Sequence, residues 1–166
     1  TADQLQKRIT KTYDKVMEET YKNQDNFVWD VIKSPEDLGR VRMDAMQEFL
    51  DDYEKGRQEG RYLTESLPTL SFKDKGFGLA LCSHFLFLYT EQLSLELHRE
   101  SIAEMCRVAN EVRIFPFIDL DLKKSGYVDI ISSEFSKAGY TVEINTVPYE
   151  FQKGGNEMMK ITQEKI

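Results

Sequence analysis

The most apolar run in the chain, Gly78-Leu79-Ala80-Leu81-Cys82-Ser83-His84-Phe85-Leu86-Phe87-Leu88-Tyr89, limits what the polypeptide can fold into. Its first half carries no charge and no proline, so it reads as a central strand, buried on both faces by helices as in a parallel sheet. The run follows a charged, turn-like segment, Lys73-Asp74-Lys75-Gly76, and becomes polar at Cys82-Ser83-His84. A parallel strand would place its carboxyl end there, which is where open α/β sheets bind ligands.

Two helices are expected before it. Thr1 and Gln4 form a capping box, and Leu5, Ile9, Tyr13, Val16, Met17 and Tyr21 repeat at helical spacing to about Lys22. Asn23-Gln24-Asp25-Asn26 breaks that pattern, and Phe27-Val28-Trp29 reads as a hydrophobic anchor under a connection. Ser34 caps the second helix, with Pro35 in its first position and Glu36 and Asp37 at the positive end of its dipole. Leu38, Val41, Ala45, Phe49 and Tyr53 mark its buried face, beside Met46 and Leu50, and Gly56 and Gly60 bring it to an end.

From residue 61 the elements are predicted to alternate. Arg61 to Thr64 suits a short strand, and Pro68 in Glu65-Ser66-Leu67-Pro68 forbids its continuation as a central one. After the apolar run come a helix over roughly Ser94 to Ala109, a strand at Glu111 to Pro116, a helix at Tyr127 to Ala138 with Gly139 at its C-cap, and a strand at Val142 to Val147. Tyr149-Glu150-Phe151 and Met158-Met159-Lys160-Ile161 flank a hairpin connection, so the last two strands are expected to be antiparallel. The fold class is α/β: a mostly parallel sheet closed by one antiparallel strand, with residues 1–60 a helical segment and 61–166 the sheet domain. His98, one turn before Ile102, reads as a surface or boundary histidine.

Composition narrows the partners. The 166 residues, 40% hydrophobic, are enough for one domain with a core, and a net charge of −7 argues against nucleic acid or an anionic membrane surface as the main partner. No stretch reaches the roughly 18 to 20 apolar residues that span a bilayer. Cys82 and Cys106 read as packed thiols, which favours a reducing cytoplasm. Neither His84 nor His98 has acidic or cysteine partners at ligand spacing beyond Cys82, so no metal site is expected.

Four segments in order carry a resemblance. These are Leu67-Pro68-Thr69-Leu70-Ser71-Phe72-Lys73-Asp74; Phe77 to His84 with Leu86-Phe87-Leu88-Tyr89; Cys106-Arg107-Val108-Ala109 leading into Val112-Arg113-Ile114-Phe115-Pro116; and Val147-Pro148-Tyr149-Glu150-Phe151-Gln152-Lys153-Gly154-Gly155-Asn156. Together they resemble the class I S-adenosylmethionine-dependent methyltransferases, in particular a group of small bacterial members, over most of the chain after residue 60. The resemblance implies a Rossmann-like sheet in which Thr64, Glu65, Ser66 and Leu67 lie along the adenine of S-adenosylmethionine. It sets Cys82, Ser83 and His84 beside the cofactor's methionine portion and the methyl acceptor. Methyl transfer rests largely on positioning, with or without a general base, and His84 is the candidate base. A Ser-His pair at a strand end also serves as a cap for the following turn. Tyr89 is a candidate wall of the substrate pocket, or else an aromatic of the core.

Two departures qualify what the resemblance implies. Gly78 stands where the family usually has an acid, and no strand, glycine-rich turn and helix precede residue 60, nor any acid placed to hold ribose hydroxyls. In the family, the strand with that glycine-rich turn lies beside the strand from Phe77 to Ser83, so the present chain should leave a hydrophobic edge. Three arrangements stay open: a fragment lacking an N-terminal portion, completion in trans by a complementing polypeptide or a second copy as a homodimer, or a rearranged non-catalytic module that binds partners through the edge. Thr1, with no methionine before it and set at a helix cap, favours the first.

Overall fold

The structure, a computed structural model, describes residues 1–163 and divides into two compact units, Thr1–Thr64 and Glu65–Ile166. In the first, Thr1 caps helix α1 (Ala2–Lys22) with the expected capping box, and the Ser34 side chain caps α2 (Pro35–Gln58) by accepting from the Asp37 N–H. The helices meet where α2 has no side chain: a Cβ on Gly39 would lie 2.7 Å from the Tyr13 hydroxyl and 3.1 Å from Met17 Sδ. Met17 and Leu38 are buried at this contact, Phe49, Leu50 and Tyr53 are half-buried, and Val41, Ala45 and Met46 are exposed, so the face expected to be buried on α2 is only partly covered.

Gly56 does not end α2. The Tyr62 ring packs on it, 2.3 Å from where a Cβ would stand, and the Tyr62 hydroxyl donates to Asp52 at 2.7 Å while Arg61 pairs with the same carboxylate. These contacts fold Arg61 and Tyr62 back along α2, and no strand forms at Arg61 to Thr64. Gly60, with φ of +71°, supplies the left-handed residue just beyond the helix.

The second unit is a four-stranded mixed sheet of β1 (Phe77–Ser83), β2 (Ala109–Phe115), β3 (Tyr140–Thr146) and β4 (Glu157–Gln163), with α3 (Leu95–Val108) and α4 (Tyr127–Lys137). Strand order is β1-β2-β4-β3. β1 pairs parallel with β2, and β4 runs antiparallel to both its neighbours. Three strands therefore share a direction, and the reversed strand is inserted between β2 and β3 instead of closing the edge. Its antiparallel partners are β2 and β3, whereas Tyr149 to Phe151 lies in the connection and forms no strand.

One face of the sheet holds the core. Cys82, Val112, Ile114, Met159 and Ile161 pack beneath Ile102, Met105 and Cys106 of α3 and Val128, Ile131 and Phe135 of α4. Arg99 on α3 clasps Glu134 on α4 with two 2.7 Å hydrogen bonds. The apolar run turns a corner at His84, whose φ is +52°. Leu86 and Phe87 then drop into the core through a short 3-10 turn, so the strand ends at Ser83.

Two expectations change here. β1 is at the sheet edge, as the resemblance implied, but it is covered on one face where burial on both was expected: Cys82 is buried while Leu79 is 43% and Leu81 69% exposed. His98 is fully buried, because α3 turns the line His98, Ser101, Ile102 and Met105 inward. Its Nδ1 lies 2.8 Å from the Ser94 carbonyl and its ring packs between Phe87 and Tyr127.

Ile102 is wholly buried between helix and sheet, so Ile102→Ala should lower the unfolding free energy by about 3 kcal/mol through lost burial and the cavity left behind. Urea denaturation measures this, and a loss below about 1 kcal/mol would contradict the packing described.

Candidate functional site

Two groups of sequence-predicted residues occupy opposite stretches of β1. At its carboxyl end, Ser83 Oγ lies 2.8 Å from His84 Nδ1, and the His84 N–H donates to the Phe115 carbonyl at 2.7 Å, which locks the turn to the end of β2. The His84 ring stands edge-on to Phe115, with centroids 5.5 Å apart, and Phe115 in turn lies 6.0 Å from Tyr149. Tyr89, 37% exposed, is tilted against Phe85. His84, Phe115 and Tyr149 thus form a partly exposed aromatic cluster at the carboxyl ends of two parallel strands.

The imidazole is the group of that cluster able to exchange a proton. When Nδ1–H donates to Ser83 Oγ, Nε2 carries the lone pair and can take a proton; with the opposite tautomer the imidazole donates from Nε2. Phe115 and Tyr149 were not singled out as site residues from sequence. Phe115 reads as the end of a strand and Tyr149 as a hairpin arm, and only the return of β4 beside β2 brings them together.

Cys82 does not join this surface. Its side chain points into the core, and burial raises its thiol pKa; the Cys106 thiol is pushed up to about 12 for the same reason. Both behave as packed thiols.

The second group flanks the amino half of β1. Ser66 and Thr69 bridge in a tight turn about Pro68, Leu67 packs against the core, and both Glu65 oxygens accept from Ser71, at 3.1 Å from its N–H and 2.6 Å from its hydroxyl. Thr64 is exposed at the close of the first unit. Glu104 and Arg107, one turn apart on α3, tie the loop down: Glu104 accepts from the Leu70 N–H at 2.7 Å, and Arg107 donates to the carbonyls of Phe72 and Leu70 and to Asp74. An i,i+3 Glu-Arg pair was visible in the sequence, but its use as a loop tether was not. Leu67, Leu70 and Phe72 thereby form one wall of an apolar groove of about 290 Å³ that runs along Phe77 to Leu81.

As a cofactor site this arrangement is one-sided. Glu65 is committed to Ser71, and Cys82 is turned away, so among the described residues of the expected loop no carboxylate is offered to a sugar. No group of three or more His, Cys, Asp or Glu that could hold a metal ion occurs among the described residues, and no helix there is long and apolar enough to cross a membrane.

No family model matches the chain, and no solved structure matches it. It is similar to an uncharacterized protein of Methanocaldococcus jannaschii, 36% identical over 136 residues, which cover 82% of this chain and 58% of the relative. The chain thus spans less than two-thirds of that relative's length.

Arg107, and after it the Leu70 N–H, hold the Glu104 carboxyl down to a pKa of about 2. A depressed folded-state pKa stabilises the fold above the unfolded carboxylate value of about 4.3, and the contribution is lost as pH falls toward 2. Glu104→Gln should therefore cost about 1 kcal/mol at pH 7, and its difference from wild type should shrink between about pH 4 and pH 2. Unfolding free energies across that range test this; a difference independent of pH would show that the carboxylate charge contributes nothing.

Proposed function

We propose that this chain forms part of an S-adenosylmethionine-dependent methyltransferase and supplies the methyl-acceptor side of its active site. The observation that carries the reading is the Ser83-His84 pair over Phe115 and Tyr149, at the carboxyl end of a parallel strand whose outer edge is open. The sense of the strands adds support: three run one way and a late strand is reversed, as expected from the resemblance.

When bound, S-adenosylmethionine supplies an electrophilic methyl group on a sulfonium. The residues of this chain bind and orient the acceptor: the aromatic surface packs a planar or apolar group, and His84 Nε2 takes the proton that an oxygen or nitrogen acceptor releases. Orientation supplies most of the rate, and proton transfer a smaller share. Glu65 and Cys82 as placed hold little of the cofactor, so most of its contacts belong to polypeptide outside the residues described.

The open edge of β1 also suits a non-enzymatic module that captures a partner, and cofactor binding separates the two readings. The intact Methanocaldococcus relative should bind S-adenosylmethionine with a Kd of about 10 μM, and the 166-residue chain at least about 100-fold more weakly, close to 3 kcal/mol. Isothermal titration calorimetry checks both. No binding by the intact relative at millimolar cofactor would eliminate the methyltransferase reading and leave the partner-binding one.

A further inference from the structure

We infer that the outer edge of β3 pairs antiparallel with β3 of a second copy of this chain, about a two-fold axis through Ile144, so that two four-stranded sheets become one. The inference rests on β3 and holds whether or not the protein transfers a methyl group.

The backbone comes first. The Val147 N–H donates to the carbonyl of Asn156, the residue opposite it when the register of β3 on β4 is continued by one pair. Bonded and unbonded pairs alternate in an antiparallel ladder, so Thr141, Glu143 and Asn145 direct their N–H and C=O groups to β4. Those of Tyr140, Val142, Ile144 and Thr146 point outward, and among the described residues no strand lies beyond β3. One charge, Glu143, and no proline occur in these seven residues, whereas free edges are ordinarily guarded more heavily.

The side chains divide between two faces. Val142 and Ile144 pair with Ile161 and Met159, both buried, and so stand on the face that α4 covers. Val142 packs against the core there, while Ile144 is 41% exposed. Thr141, Glu143 and Asn145 stand on the other face, where Glu143 holds Lys160 at 2.7 Å. The Asn145 amide is exposed and bonded to no other side chain among the described residues.

That pattern fits a second copy, and in one register. An axis through Glu143 would set two carboxylates opposite each other, which is destabilising. An axis through Val142 would carry the second copy past Tyr140 onto Gly139, whose φ of +90° takes the chain out of the strand toward α4. An axis through Asn145 would set Val142 against Pro148, which has no N–H to give. The axis through Ile144 meets none of these obstacles. Val142 then faces Thr146 of the second copy and Ile144 faces its counterpart, in three pairs that exchange two backbone bonds each. On the helix side the two Ile144 side chains cover each other. On the far side each Asn145 amide lies opposite a Glu143 carboxylate and donates to it, twice by symmetry. Both copies use the same strand, so the contact closes at two. Its small area makes a weak dimer, with a Kd on the order of 100 μM.

Sedimentation of the 166-residue chain between about 5 μM and about 1 mM, with amide exchange at both ends of that range, decides the matter. At the higher concentration the amides of Val142, Ile144 and Thr146 should slow about fivefold, while those of Glu143 and Asn145, already bonded to β4, stay nearly constant. Asn145→Lys sets an ammonium opposite each Glu143 and should tighten the dimer about tenfold; Asn145→Glu opposes carboxylates and should weaken it about tenfold. A chain still monomeric at about 1 mM would overturn the inference. So would association that leaves the Val142, Ile144 and Thr146 amides fast, such as pairing at β1 alone, or a shift in the same direction for both Asn145 variants. Cofactor binding plays no part in these outcomes, so the inference and the methyltransferase reading fail separately.

Discussion

The parallel ladder between β1 and β2 is the constraint on which the second unit depends. Two neighbouring strands with the same direction need a crossover, and right-handedness leaves one face for it. α3 is that crossover. Once it lies over Cys82 and Val112, β4 and α4 complete the same layer, with Met159, Ile161, Ile131 and Phe135 filling the space between. The turn at His84 follows from the same arrangement: the chain must leave the sheet and return as α3, and the hydrogen bond to Phe115 holds the departure point against the end of β2.

Much of this was legible where a local signal and the tertiary environment agree. The capping residues Thr1 and Ser34, the positive-φ glycine at Gly139 and the helical spacing of Ile102, Met105 and Cys106 all act within a turn or two of the chain. The misreadings have a common cause in long-range partners. Arg61 to Thr64 suits a short strand, but Asp52, nine residues before Arg61, binds it and draws it back. Gly56 looks like a terminator and is instead a contact surface for Tyr62. His98 looks like a boundary residue because imidazole is polar, yet two aromatic rings and one carbonyl are enough to bury it.

The candidate site divides the same way. Ser83 and His84 were identifiable because the polar end of an apolar strand is a position with known chemistry in open sheets. Phe115 and Tyr149 were not: Phe115 reaches His84 only through the pairing of β1 with β2, and Tyr149 reaches Phe115 only because β4 enters the sheet beside β2 and its connection crosses the strand ends. Likewise Glu104 and Arg107 are an ordinary helical pair by spacing; only the backbone of Leu70 and Phe72, more than 30 residues away, makes them a tether.

Phe77, Leu79 and Leu81 meet solvent while the chain is fully native. A melting curve reports in part on Phe77, which stands edge-on to Phe72, and on Leu79, but it is nearly blind to Leu81, 69% exposed. Colloidal behaviour is not: second virial coefficients, salting-out points and crystal habit all respond to surface that folding leaves uncovered. Two variants of this chain that differ at Leu81 can therefore share a transition temperature and still differ in how concentrated they can be made.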